Sequence, residues 1–248
     1  MSDAFIGNDV FDAPAKLTLS LRITGVRDDG YHLIDAEMVT LALGDTVAIT
    51  PGATGVSCDG PYAPGVPTDE RNLVNRALDL CGRRAAVHVF KAIPPGGGLG
   101  GGSADAAAVL RWAGWSDLEA AAGIGADVPF CLVGGRARVR GIGEVIDPLP
   151  YQPLEVTLVV PPLAVPTPAV YRAWDELGGP SGDGPNDLTT AALAVAPELA
   201  EWRDRIRECS GVEPVLAGSG ATWFLVGRHG GLAEALDGAR VLTTRAVG

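Results

Sequence analysis

"PPGGGLGGGSADAAAVL", residues 94–110, decides how this 248-residue chain is read. Six glycines fill the seven positions 96–102, and an alanine-rich run begins just past Ser103. Each glycine in regular structure costs roughly 0.5–1 kcal/mol relative to alanine, so a run of six requires a gain elsewhere. A stretch without Cβ atoms lets backbone amides converge on one anion. A helix beginning at about Ser103 adds the partial positive charge of its N-terminus, and the Ser103 hydroxyl can cap that helix or reach a phosphate or its metal. Ala104, Ala106, Ala107 and Ala108 keep the first turns slim, so the helix can lie close to sheet and ligand. The stretch reads as a polyphosphate cradle.

Two better-known phosphate loops do not fit. Gly96-x-Gly98-x-x-Gly101 matches the dinucleotide fingerprint in form, but Pro94 and Pro95 stand between it and the preceding strand. That fingerprint needs a strand running straight into the first glycine. A P-loop needs Lys-Ser/Thr after its last glycine, and none follows here.

Outward from the loop, hydrophobic periodicity places the elements. Residues 15–24 alternate as a strand that puts Lys16, Thr18 and Ser20 on one face, and VRDDGYH follows as a turn. Residues 33–50 read as one or two strands broken at Gly44-Asp45, and the Gly- and Pro-rich segment 51–69 as loop. Thr68 or Asp69 is expected to cap a helix over 70–81. A strand over 85–93, helices over 103–113 and 116–122 and a strand near 136–146 complete the first half. Beyond Pro150 come a strand (154–160), a helix with proline in its first turn (166–177) and an amphipathic helix (196–209). Two strands around a glycine turn (212–227), a helix (230–239) and a last strand (239–247) follow. Strands and helices mix without a βαβ beat, which indicates α+β. A boundary near 150–153 divides the chain into 1–152 and 153–248.

The net charge of −11 argues against nucleic acid and anionic membranes as partners. It does not exclude an anionic small molecule in a local pocket. Only Lys16 and Lys91 among the 19 basic residues are lysines, so a steric reason for lysine at those two positions is worth seeking. Cys58, Cys81, Cys131 and Cys209 form no C-x-x-C pair, and the first residues are acidic and polar. Free thiols in a reducing cytosol are expected. No apolar run is long enough for a membrane span. His88 and His229 show no metal-ligand spacing.

The glycine stretch, P-x-G-x-G-L-G-G-G-S-[SA]-[DN]-A-A, resembles the phosphate loop of the GHMP small-molecule kinases. The likeness extends along the chain in family order. APAKLTLSLRITGVRDDGYH, LALGDTVAI, RNLVNRA, GADVPF, PTPAVY, PND and GSGAT cover most of residues 13–226 together with the loop. The resemblance implies a two-domain α+β fold with the active site in the cleft between domains. It implies ATP with Mg²⁺, the ion held mainly by phosphates and water with no protein metal site, and a cytidine-diphosphate-linked polyol as the phosphoryl acceptor. A homodimer is left open.

Carried over residue by residue, the resemblance places Lys16 beside the reacting hydroxyl and makes Asp127 the catalytic carboxylate. Tyr31 and His32 fall on the turn that holds cytosine, and Tyr171 on an aromatic position covering the other face of the base. Pro95, Gly96, Gly97, Gly98, Leu99, Gly100, Gly101, Gly102 and Ser103 wrap the ATP phosphates, with Lys91 near the nucleotide. Gly218, Ser219 and Gly220 lie beside the substrate diphosphate, and Thr18 stands where the family usually has Asn. The segment before Gly125 is shorter than the family's. The alternatives are a homoserine- or mevalonate-type kinase, whose substrates carry no base to stack, and a non-catalytic nucleotide sensor, which would not need Lys16 and Asp127.

Overall fold

The computed structural model describes residues 9–182 and 184–248. Strands β1 (Asp9–Val26) and β2 (His32–Pro51) form a long antiparallel hairpin. Its turn is closed by the Arg27 amide donating to the Tyr31 carbonyl at 2.8 Å. β2 is not broken at Gly44-Asp45 as expected. Gly44 lies opposite Pro14, and a Cβ there would sit 3.0 Å from the Pro14 Cα, so this glycine serves a close crossing within the sheet. The 51–69 segment, expected to be loop throughout, contains β3 (Gly55–Asp59), which pairs in parallel with β4 (Ala85–Phe90). Between them α1 (Leu73–Leu80) starts later than expected. Asn72 caps it, its Oδ1 accepting from the Val74 amide at 2.9 Å, while Asp69 holds the Arg71 guanidinium.

Helix α2 (Gly101–Trp112) begins two residues before the expected start, and its N-cap is Gly100. Ser103 is therefore inside the first turn and does not cap the helix. Residues Ala104 to Leu110 of α2 are all 3% exposed or less. Such all-round burial explains the four alanines, because larger side chains would hold the helix off its neighbours. Next come α3 (Leu118–Ala122) and α4 (Val128–Val133). A hairpin, β5 (Arg136–Gly141) and β6 (Val145–Leu149), replaces the single strand expected near 136–146, because Gly141 and Gly143 turn the chain.

The rest of the chain adds β7 (Glu155–Val160), α5 (Thr167–Glu176), α6 (Thr189–Val195) and α7 (Glu198–Ser210). It ends with β8 (Val215–Leu216), β9 (Trp223–Val226), α8 (Leu232–Ala235) and β10 (Arg240–Val247). α6 had no expected counterpart. The strands join in one mixed sheet along β3-β4-β2-β10-β7-β9-β8, with β1 and β5 also on β2 and β6 on β5. The class is α+β.

Two cores flank this sheet, and each draws on both halves of the chain. One packs α1, α2 and α4 with Leu17, Val47 and Val89, and takes in Val156, Leu158 and Phe224. The other packs α5, α6 and α7 with Leu216 and Trp223, and takes in Leu21, Ile34, Met38 and Val139. The seam between these cores runs along β1 and β2, which contribute to both, and both strands line the larger of the cavities described next. The four cysteines are free thiols. Among the described residues, no helix is long and apolar enough to cross a membrane.

Candidate active site

Lys16 is a buried lysine, 4% exposed, on a central stretch of β1. Burying an ammonium is costly unless it is paired. Its Nζ lies 3.2 Å from Asp127 Oδ2 and donates to Thr18 Oγ1 at 3.2 Å. Its backbone amide donates to the Leu99 carbonyl at 3.0 Å, which ties β1 to the glycine loop. The simple alternation expected of β1 fails just beyond. β1 carries an extra residue between Thr18 and Ser20, so Thr18 faces Met38 and Ser20 faces Glu37. A bulge reverses which side later residues face. Lys16, Thr18 and then Leu21, not Ser20, line the cavity.

Asp127 occupies the N-cap position of α4, but its side chain makes no cap hydrogen bond. The carboxylate is thereby left for Lys16. Burial pushes the Tyr171 hydroxyl up to about 12, and repulsion from the Asp127 carboxylate adds to the rise.

The glycine loop walls a cavity of about 240 Å³ with Val66, Pro67, Leu73 and Ile93 on its apolar side. Gly98 and Gly100 are left-handed, at φ 72° and 71°, which favours glycine. Both also meet close neighbours. A Cβ on Gly98 would sit 2.4 Å from the Ala217 carbonyl oxygen, and one on Gly100 would sit 2.8 Å from Lys16 Cγ. The run is thus glycine in part so that loop, turn and lysine can touch. Leu99, the one side chain between the glycines, is 1% exposed in the core and anchors the loop. The amides of Gly101, Gly102 and Ser103 have no intrahelical partner, and among the described residues nothing accepts from them. Pro95, Gly96, Gly97 and Gly102 complete this wall. Ser103 lies outside it, its hydroxyl 3.7 Å from where a Gly125 Cβ would be.

Lys91 borders the same cavity, but its ammonium is already engaged. It pairs with Asp45 and, at 2.6 Å, with Asp105. Asp45 also accepts from the Ala92 and Ile93 amides at 2.6 and 2.7 Å, while Asp105 Oδ1 has no partner. Burial, with Asp45 adding repulsion against the pull of Lys91, raises the Asp105 carboxyl well above the carboxylate range. Burial alone would lower Lys91, and the two carboxylates more than reverse that.

A second cavity of about 470 Å³ holds Lys16, Thr18 and Asp127, and Gly98 lines both cavities. Tyr31, His32 and Tyr171 all reach it. Tyr31 is 58% exposed, whereas Tyr171 packs on the second core. His32 is packed against aromatics, its ring centroid 4.7 Å from that of Tyr171 and 5.5 Å from Trp174. Its Nε2 bonds Asp175 Oδ1 at 2.8 Å. Gly218 and Ser219 line the cavity, and Thr167 and Ser219 share a hydroxyl hydrogen bond of 2.8 Å. Gly220 does not line it. It packs toward Leu216 and Leu199, its amide bonding the Ala217 carbonyl at 3.0 Å.

Asn186 and Asp187 position this site without lining it, and the sequence reading gave them no role. Asn186 Nδ2 donates to the Leu216 and Gly218 carbonyls at 2.8 and 2.7 Å and so shapes the 217–222 turn. Asp187 accepts from the Ile23 amide at 3.0 Å and from Arg22 at 2.6 Å, fixing that segment to β1. The PND triplet was the visible signal; what it holds is set by contacts distant in sequence.

The model of the GHMP kinases N terminal domain matches residues 72–135, which run from the cap of α1 through the glycine loop and α4. The 4-diphosphocytidyl-2-C-methyl-D-erythritol kinase of Paracoccus denitrificans (strain Pd 1222) is 42% identical over 231 residues, covering 86% of this chain and 84% of its own length. That of Jannaschia sp. (strain CCS1) is 39% identical over 239 residues, covering 86% of each. A crystal structure of 4-(cytidine 5'-diphospho)-2C-methyl-D-erythritol kinase superposes with a TM-score of 0.74 at 33% identity, covering 97% of this chain and 100% of the other. With a glycine loop at a helix N-terminus, a buried lysine paired to an aspartate and likeness over nearly its whole length, the chain belongs to the 4-diphosphocytidyl-2-C-methyl-D-erythritol kinases among the GHMP kinases.

Proposed function

We propose that this chain transfers the γ-phosphoryl group of ATP to a hydroxyl of 4-diphosphocytidyl-2-C-methyl-D-erythritol, a step in the non-mevalonate route to isoprenoid precursors. The observation that carries the reading is the Lys16–Asp127 pair, 3.2 Å apart, in a cavity that shares the Gly98 wall with the glycine-loop cavity. Two ligands, one in each cavity, would meet at that wall.

Phosphoryl transfer has a loose transition state, so positioning and charge neutralisation dominate. The amides of Gly101 and Gly102 at the α2 N-terminus receive the phosphates. The acceptor hydroxyl lies against Lys16 and Asp127. Its oxygen bonds to the γ-phosphorus as the bond to the bridging oxygen breaks, and ADP departs. Asp127 orients the hydroxyl and accepts its proton, while the Lys16 ammonium stabilises the negative charge growing on that oxygen. Tyr31 and Tyr171 hold the cytosine, and Thr18 supports the Lys16 ammonium at 3.2 Å. Among the described residues no group of three or more His, Cys, Asp or Glu could hold a metal ion. Backbone amides at the loop suit phosphates whose Mg²⁺ would be held by phosphate oxygens and water. Bound there, the ion neutralises phosphate charge.

ADP release is the test, measured with ATP, Mg²⁺ and, in parallel, the cytidine substrate, homoserine and mevalonate. Turnover confined to the cytidine substrate is expected. Equal or greater turnover of either of the others would overturn the substrate assignment.

A further inference from the structure

Helix α5 presents one stripe to the larger cavity. Pro168, Tyr171, Arg172 and Asp175 follow at the spacing i, i+3, i+4, i+7, and all four line it. Two of these have partners. Tyr171 carries the His32 ring, and Asp175 accepts from His32. Arg172 is exposed and forms no ion pair among the described residues. Asp175 and Glu176, three and four residues on, are the acids that helix geometry offers it; the Asp175 carboxylate is bonded to His32, and neither acid pairs with Arg172 among the described residues. Lys16 pairs with Asp127. Arg172 is thus a cation with no acidic partner among the described residues, in the cavity of a protein of net charge −11.

Helical side chains lean toward the N-terminus of their helix. Arg172 therefore reaches back toward the first turn of α5, where the Thr167 and Ser219 hydroxyls meet at 2.8 Å. Ser219 follows Gly218, whose position for a Cβ is 3.8 Å from Lys16 Nζ. Thr167, Tyr171, Arg172, Ser219 and Lys16 all line this one cavity, so the linker between a base stacked on Tyr171 and a hydroxyl reacting at Lys16 would pass along it.

We propose that Arg172 clamps the diphosphate of the bound substrate, its guanidinium pairing with phosphate oxygens of a nucleoside diphosphate whose base lies at Tyr171. The proposal rests on the reading above that this cavity takes a cytidine-diphosphate-linked polyol. A planar guanidinium can grip two phosphate oxygens at once, which the point charge of lysine cannot.

Calorimetric titration of wild type, Arg172→Met and Arg172→Lys with cytidine, CMP and CDP tests it. CDP should bind Arg172→Met about ten- to a hundredfold more weakly, the scale of hydrogen bonds between charged groups. Cytidine affinity should change by less than about twofold, as for an exposed side chain that touches no part of the nucleoside. Arg172→Lys should recover part of the CDP loss, and added salt should narrow the gap between wild type and Arg172→Met. Unchanged CDP affinity in Arg172→Met, or an equal loss for cytidine and CDP, overturns the clamp while leaving the cavity's assignment standing. A wild-type protein that binds none of the three ligands overturns that assignment, and the clamp with it.

Discussion

The two cavities that meet at Gly98 are built in opposite ways. The smaller one is largely backbone from a short run of chain, residues 91–105, closed by Val66, Pro67 and the start of α1. The larger one is side chain, gathered from β1, β2, the start of α4, α5 and the 217–222 turn. Backbone without Cβ atoms suits a ligand end that is the same in every nucleotide, a row of phosphate oxygens. Discrimination among acceptors requires rings, hydroxyls and charges at set distances, and such groups come from separate elements. Lys16 belongs to both designs. It lines the larger cavity, while its aliphatic chain lies against Gly100 and its amide bonds Leu99 of the loop.

If the seam is where chemistry occurs, the largest effects fall there. Lys16→Met and Asp127→Asn should each lower kcat by on the order of 10²-fold or more, the scale of a positioned acid, base or electrostatic group. The double variant should lose little beyond the worse single, because the two groups act as a unit. Steady-state kinetics checks both, and near-normal turnover in either single variant removes that residue from the chemistry.

A pair of glycine substitutions separates packing from phosphate binding within the loop. Gly98→Ala combines a left-handed φ of 72° with a Cβ 2.4 Å from the Ala217 carbonyl oxygen. It should lower stability by about 1–3 kcal/mol, the scale of backbone strain, and raise KM for both ligands. Gly102→Ala places its Cβ 3.8 Å from Leu73 in a helical turn, with room for it. Its melting temperature should hold or rise, since alanine gains up to about 1 kcal/mol over glycine in a helix. Similar melting behaviour in the two variants would show that Gly98 is not a packing hinge.

These contrasts explain what was legible in the sequence. The glycine run marked a cavity wall in the sequence because one contiguous stretch builds most of that cavity. Even there, the start of α2 was misplaced by two residues, since a left-handed Gly100 caps the helix in place of a side chain. The Lys16 face could not be read beyond Thr18, because the bulge is fixed by pairing with β2. β3 escaped notice among glycines and prolines, since it is held by its ladder with β4 more than by its own composition. Tyr31, His32 and Tyr171, which line one cavity, were singled out through family resemblance alone. Nothing local in the chain announces that His32 rests on Tyr171 and bonds Asp175.

A smaller effect lies beneath the loop. Burial raises the Asp105 carboxyl from the ordinary 3.8 to about 7, with Asp45 adding to the rise and Lys91 opposing it. Between those values the folded protein keeps a proton that the unfolded chain has released. Stability is therefore lost as pH rises through this window, and the loss is complete above it. Asp105→Asn keeps the shape and removes the titration. Melting temperatures of wild type and variant should be closest near pH 4 and diverge in favour of the variant toward pH 8, as the carboxyl of wild type ionises. A constant difference across that range would show that Asp105 is charged throughout.

The division of labour between the cavities is tested most directly by Tyr31→Leu. Tyr31 is 58% exposed, so its loss should leave the fold and its melting temperature intact. Base stacking on an aromatic ring is worth roughly 1–3 kcal/mol, so KM for the cytidine substrate should rise about five- to a hundredfold while KM for ATP stays nearly flat. If the two constants rise together, or if only that for ATP moves, the larger cavity is not the separate seat of the cytidine ligand.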